Sequence, residues 1–197
     1  MRDSQSPQFR LSVCGIDEID KFAGNNVTHL ISIDDPGAPT ETPEWFRGIH
    51  WHLVFQDVET VKQAKQFRAL GPTIHDVKQI IEFGETCLTA SKTKRVHLLI
   101  HCMAGVSRST AAAFAILCMI HGKGSEPESL EHLLAIRPDA LPNRLVVKYA
   151  DQLLGRDGKM LEALRHLRER WTKRWINWAQ AMKKQTERPN KGIEHTR

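Results

Sequence analysis

Val96-His97-Leu98-Leu99-Ile100-His101-Cys102-Met103-Ala104-Gly105-Val106-Ser107-Arg108-Ser109-Thr110 is the stretch whose reading decides the fold. Its first five residues have no polar alternation beyond His97, the pattern of a strand covered on both faces. The segment from Ser109 to about His121 is rich in Ala and apolar all round, so it reads as a buried helix. Between the two, a tight loop from Cys102 to Arg108 carries the chain directly from strand to helix N-terminus.

A loop of that kind points unpaired backbone N–H groups at one place, where the helix dipole also favours negative charge. The N–H groups of Met103, Ala104, Gly105, Val106 and Ser107 are therefore candidates to hold a phosphate, and Gly105 permits the backbone turn such a nest demands. Cys102 stands at its mouth, where the field that attracts phosphate also stabilises a thiolate. Arg108 follows six residues later, with a planar fork suited to two phosphoryl oxygens. The Ser109 hydroxyl is placed to bond the cysteine sulfur, and His101 reads as a residue that orients the loop rather than as a base. No metal and no cofactor is called for. The bland alternative makes Cys102 a small buried hydrophobe and Arg108 a surface charge, but ordinary residue frequencies seldom produce His, Cys, Gly, Arg and Ser at these spacings.

His101-Cys102-x-x-Gly105-x-x-Arg108-Ser109 resembles the signature of the protein-tyrosine phosphatase superfamily. The form Ala104-Gly105-Val106-Ser107-Arg108-Ser109 is similar to that of the dual-specificity phosphatases and their compact bacterial relatives. The resemblance runs loosely from Phe9 to Leu154 and includes a helix start at Pro142-Asn143. It implies a phosphatase acting through a phosphocysteine, with a phosphorylated protein as substrate. It also implies a general acid on a separate loop after an earlier strand, and the matching residue is Asp57. Glu59 and Asp35 are rivals for that role, because an insertion from Glu59 to Thr73 lengthens the interval to Cys102. A phosphatase of phosphoinositides, nucleotides or RNA ends is one alternative, and a silent phosphate-binding module is another.

Outward from the loop, Phe9–Ile16, Val27–Ile33 and His50–Phe55 read as three further strands. Val58–Leu70 reads as a short helix, and Thr73 caps a helix running to about Ala90. Ser125–Ile136 and a segment capped by Asn143 and ending near Leu154 are helical, and Lys159 to about Lys184 is one long helical pattern. The expected fold is α/β: a small, mainly parallel sheet flanked by helices on both faces, with a C-terminal helical extension. The catalytic domain is expected over residues 1–155 and a basic tail over 156–197.

The net charge of +5 on 197 residues belongs to that tail, which holds 12 basic and 5 acidic residues against 16 and 18 in the body. A basic pI by itself would suggest nucleic acid, but the body gives that no support. Met160, Leu161, Leu164, Leu167, Trp171, Trp175, Trp178 and Met182 recur at spacings of three and four along the last helix. Three readings stay open for it: packing on the domain or in a homodimer, an anionic membrane surface, or a docking arm. The four cysteines form no metal or disulfide pattern, and Cys14, Cys87 and Cys118 read as buried thiols. With no apolar run of spanning length and no signal-like start, the expected location is cytoplasmic.

Overall fold

The structure, a computed structural model, describes residues 8–186, and along the last helix it describes side chains as far as Lys173 and at Ile176. Four strands are formed, β1 (Phe9–Gly15), β2 (His29–Asp34), β3 (Ile49–Val54) and β4 (Val96–Cys102). A 3-10 helix, Ile16–Phe22, follows β1. The helices are α1 (Val61–Phe67), α2 (Ile74–Ala90), α3 (Arg108–His121), α4 (Glu126–Ile136), α5 (Arg144–Leu153) and α6 (Lys159–Thr186).

All strand pairs are parallel, in the order β1-β4-β2-β3. Every residue of β4 is buried, as a central strand with both faces covered requires. The register sets Leu11 beside Leu98, Val13 beside Ile100 and Gly15 beside Cys102. Because side chains alternate, Leu98 and Ile100 share one face with Leu11, Val13 and Ile31. α3 lies against β4 and β1, and α2, α4 and α5 gather around it. Its residues from Arg108 to Cys118 are all buried, which is why it is apolar on every side. α2 approaches it closely, since a Cβ on Gly84 would come within 2.8 Å of the Ile116 side chain. Thr73 caps α2 in a full capping box: Asp76 N–H donates to its hydroxyl, and its own N–H donates to Asp76 Oδ2 at 2.8 Å.

The opposite face is covered by the 3-10 helix and by loops. Cys14, Leu30 and Leu99 pack there with Ile19 of the 3-10 helix and Phe46 of the segment before β3. The same face also carries Ser12, Ser32, His50, His97 and His101, which need polar partners that a plain α-helix would not offer. His97 Nδ1 bonds the Asn25 carbonyl at 2.9 Å and His50 Nδ1 bonds the Thr42 hydroxyl at 2.8 Å, so loops cover this side.

Beyond α5, Asp151 accepts from the backbone N–H groups of Gly158 and Met160 at 2.8 and 3.0 Å and so fixes the start of α6. Met160, Ala163 and Leu164 are buried, and the first compact unit runs to Leu164, beyond the division after Gly155 read from sequence. A second unit begins at Arg165. The side chains of Trp175, Trp178 and Met182, on which much of the tail's amphipathic reading rests, lie outside the described residues, as do residues 187–197. Among the described residues no helix is long and apolar enough to cross a membrane.

Candidate active site

β4 delivers Cys102 to the carboxyl edge of the sheet with 3% of its surface exposed. The loop after it is anchored through four of its carbonyls, each bonded to a neighbouring segment. The Met103 carbonyl accepts from Ile16 N–H at 3.0 Å, Val106 from Leu141 N–H at 2.9 Å and Ser107 from Asn143 N–H at 3.2 Å. The Ala104 carbonyl accepts from Arg137 Nη2 at 3.2 Å. With those carbonyls bonded, the N–H groups of residues 104–107 meet no protein acceptor among the described residues, as an anion-binding nest requires. Gly105 allows this turn at φ +68°, and a Cβ there would lie 2.4 Å from the Cys14 and Gly15 backbone.

Cys102 Sγ lies 3.2 Å from Ser109 Oγ in the first turn of α3. The other three thiols, Cys14, Cys87 and Cys118, are buried and pushed up to about 12, chiefly by loss of water. His101 points to the other face of the sheet, where Nε2 meets the Ser32 hydroxyl, which in turn meets His50. Burial lowers the His101 pKa, against an opposing pull from Asp34.

Arg108 is 4% exposed and tightly held. Nη1 donates to Asp35 Oδ1 at 3.0 Å and to the Phe55 carbonyl at 2.9 Å, and Nη2 donates to Asp35 Oδ2 at 3.1 Å. A guanidinium has five N–H donors. Those left over are Nε–H, buried with no acceptor among the described residues, and the second Nη2–H. They lie side by side on one edge of the plane and form a two-donor fork.

Asp57 lies beside the same loop, and its Oδ1 accepts from the Ser107 hydroxyl and from Asn143 Nδ2, each at 2.7 Å. Its two rivals are engaged elsewhere: Asp35 with Arg108, and Glu59 with the Arg144 N–H at 3.0 Å. The fully buried Asn143 serves two purposes. Its Oδ1 caps α5 by accepting from Leu145 and Val146 N–H at 2.9 and 3.0 Å, and its Nδ2 ties down Asp57. Sequence reasoning recognised the cap but not the tie, and it missed Asp35 as the partner of Arg108. Neither had a local signal, because each bond joins residues more than 70 positions apart. Among the described residues no group of three or more His, Cys, Asp or Glu is arranged to hold a metal ion.

No family model matches the chain. It is 28% identical over 124 residues to dual specificity protein phosphatase 15 of Mus musculus, a match covering 63% of this chain and 45% of that one. To dual specificity protein phosphatase 22-B of Danio rerio it is 29% identical over 124 residues, covering 63% and 57%. The chain thus matches about half the length of these curated relatives. The crystal structure of DUSP15 superimposes with a TM-score of 0.54 at 24% identity, over 84% of this chain and 93% of that one, which establishes the fold. The sheet order, the loop between β4 and α3, and the named relatives agree with one another. The chain is similar in sequence to dual-specificity phosphatases of the protein-tyrosine phosphatase superfamily, and it shares their fold.

Proposed function

We propose that the chain is a metal-independent protein phosphatase that hydrolyses phosphotyrosine, and with it phosphoserine or phosphothreonine, through a phosphocysteine intermediate. The phosphoryl group sits over the N–H groups of the 103–107 loop, and two of its oxygens take the Nε/Nη2 edge of Arg108. The Cys102 thiolate attacks phosphorus; an S–P bond forms as the bond to the leaving oxygen breaks, and Asp57 gives that oxygen a proton. Asp57, now a carboxylate, then takes a proton from water as the water oxygen attacks phosphorus and the S–P bond breaks. The Ser109 hydroxyl, hydrogen-bonded to the sulfur, eases departure of the thiolate. Charge building on the equatorial oxygens is met by oriented amides and the guanidinium, so these steps need no bound metal.

The observation that carries this reading is the pattern of bonds at Arg108. Three of its N–H donors are committed to protein, which fixes the guanidinium and leaves Nε–H and the second Nη2–H as one edge. Two parallel N–H donors on one edge of a guanidinium match two oxygens of a phosphoryl group. A phosphoinositide phosphatase is the runner-up, but the loop residues Met103, Ala104, Val106 and Ser107 bring no cation beyond Arg108 to meet a multiply charged headgroup. The test is a panel of phosphopeptides and phosphoinositides assayed with chelator present. Turnover of the peptides supports the proposal, and turnover confined to lipid headgroups rejects it in favour of the runner-up.

A further inference from the structure

A groove of about 750 Å³ opens beside the phosphate loop. One side is formed by Ile16 and Ile19 of the 3-10 helix and the other by Pro43 and Trp45 of the segment leading into β3. A bond from Trp45 Nε1–H to Asp20 Oδ1, 2.9 Å long, clamps the two sides together. The groove adjoins the phosphate loop: Ile16, which lines it, donates its N–H to the carbonyl of Met103, and Thr40, which also lines it, donates to Asp34, the neighbour of Asp35.

Its rim is acidic. Asp20, Glu41 and Glu44 line it and are exposed, and Glu41 and Glu44 have no ion-pair partner among the described residues. The cations nearby are committed elsewhere. Lys21 and Arg137 pair with Glu18, and Arg47 turns its guanidinium to the backbone carbonyls of Glu44 and Phe46. Apolar walls, an indole face and a carboxylate rim suit a long cationic side chain, which buries its methylene stem while its charged head stays at the rim.

We propose that this groove is the docking surface for the polypeptide next to the phosphorylated residue of the substrate, and that it selects a Lys or Arg there. The inference rests on the reading of the chain as a protein phosphatase. The same rim repels a polyanionic headgroup or an acidic flank.

The full-length protein is assayed on phosphotyrosine peptides that differ only in whether the flanking positions, on either side, carry Lys, Ala or Glu. Para-nitrophenyl phosphate, which has no flank, is the control. The expected kcat/KM favours Lys over Glu by about tenfold at low ionic strength and by much less at ~0.5 M salt, where surface charges are screened. Paired replacements Glu41→Lys and Glu44→Lys, both at exposed positions, reverse the order and leave the control within about twofold, since rim charges act on encounter and selection. Equal rates on all peptides overturn the proposal, as does a charge reversal that lowers the Lys and Glu peptides alike. Hydrolysis of the control without any peptide turnover overturns both the docking surface and the protein-substrate reading. Failure on the control as well overturns the phosphatase reading itself.

Discussion

Replacing Asp35 by Asn separates two properties of the phosphate site that usually change together. In the native protein both Asp35 oxygens hold the outer edge of Arg108, at 3.0 and 3.1 Å, so the inner edge is aimed before substrate arrives. An amide accepts through one oxygen only, leaving the guanidinium to pivot on its bond to Phe55. Misplacement by ~1 Å costs on the order of 10²-fold in rate, so kcat on an aryl phosphate should fall ~30- to 100-fold. Binding should move the other way. A carboxylate and a phosphoryl group on adjacent edges of one guanidinium are ~7 Å apart, where unit charges at an effective dielectric of ~20 repel by ~2 kcal/mol. The Asp35 side chain is 36% exposed. Allowing solvent screening to halve the repulsion leaves ~1 kcal/mol, or about fivefold tighter inhibition by inorganic phosphate. Steady-state kinetics with phosphate as competitive inhibitor reads both quantities. Asp35→Glu, which keeps two oxygens, should recover part of kcat without the gain in phosphate affinity. An Asn variant with unchanged kcat and weaker phosphate binding would falsify the positioning role.

Cys102→Ser should abolish turnover yet still bind phosphate, since the amide nest and Arg108 are untouched; calorimetric titration with phosphate distinguishes this from a folding defect. Asp57→Asn should slow phosphotyrosine hydrolysis far more than hydrolysis of an activated aryl phosphate, whose leaving oxygen needs little protonation. Equal losses on the two substrates would remove Asp57 from the acid role. Stability should fall as pH drops. His50 is held down to about 4, first by burial and then by its neighbours His52 and His101, and burial also lowers His97 and His101. Between the ordinary value near 6.5 and about 4, the unfolded chain binds protons that the folded one refuses, so Tm should decline from pH 7 to pH 5. His50→Gln should flatten that decline, and an unchanged slope would show that His50 is not its source.

What could be read in advance was what neighbouring residues encode among themselves. The run from Val96 to Thr110 specifies strand, loop and helix within fifteen consecutive positions, and Thr73 with Asp76 announces a cap within four. The partner of Arg108 is a different matter. Asp35 reaches it only because β2 lies beside β4, and no periodicity states which strand will be the neighbour. Asp57 meets Asn143 because the end of β3 and the start of α5 converge on one loop, and Asn143 by itself predicts only a helix start. The share of loops in the cover of the second sheet face was illegible for a related reason. His97 and His101 sit inside an apolar strand and look like minor interruptions there, yet the polar atoms they bury require loops for partners. The long helix was divided from the body too early because Gly155 and Gly158 look like a linker, whereas Asp151 uses the turn between them to start a helix that buries Met160.

The order of the strands also sets a sequence of events in folding. β1 is an edge strand whose partner is β4, so Phe9 waits for Val96 before it can enter the sheet. A parallel sheet joined over such separations closes its loops before contacts reward them, and it folds slowly for its size. While β1 waits, Leu11 and Val13 are open to solvent and to other chains, which makes the early folding species prone to aggregate and to engage chaperones. The phosphate loop completes its form only against β1, since Gly105 lies on the Cys14–Gly15 backbone and the Met103 carbonyl is tied to Ile16. Competence to bind phosphate is therefore acquired with docking of the first strand, and bound phosphate should hold that strand in place.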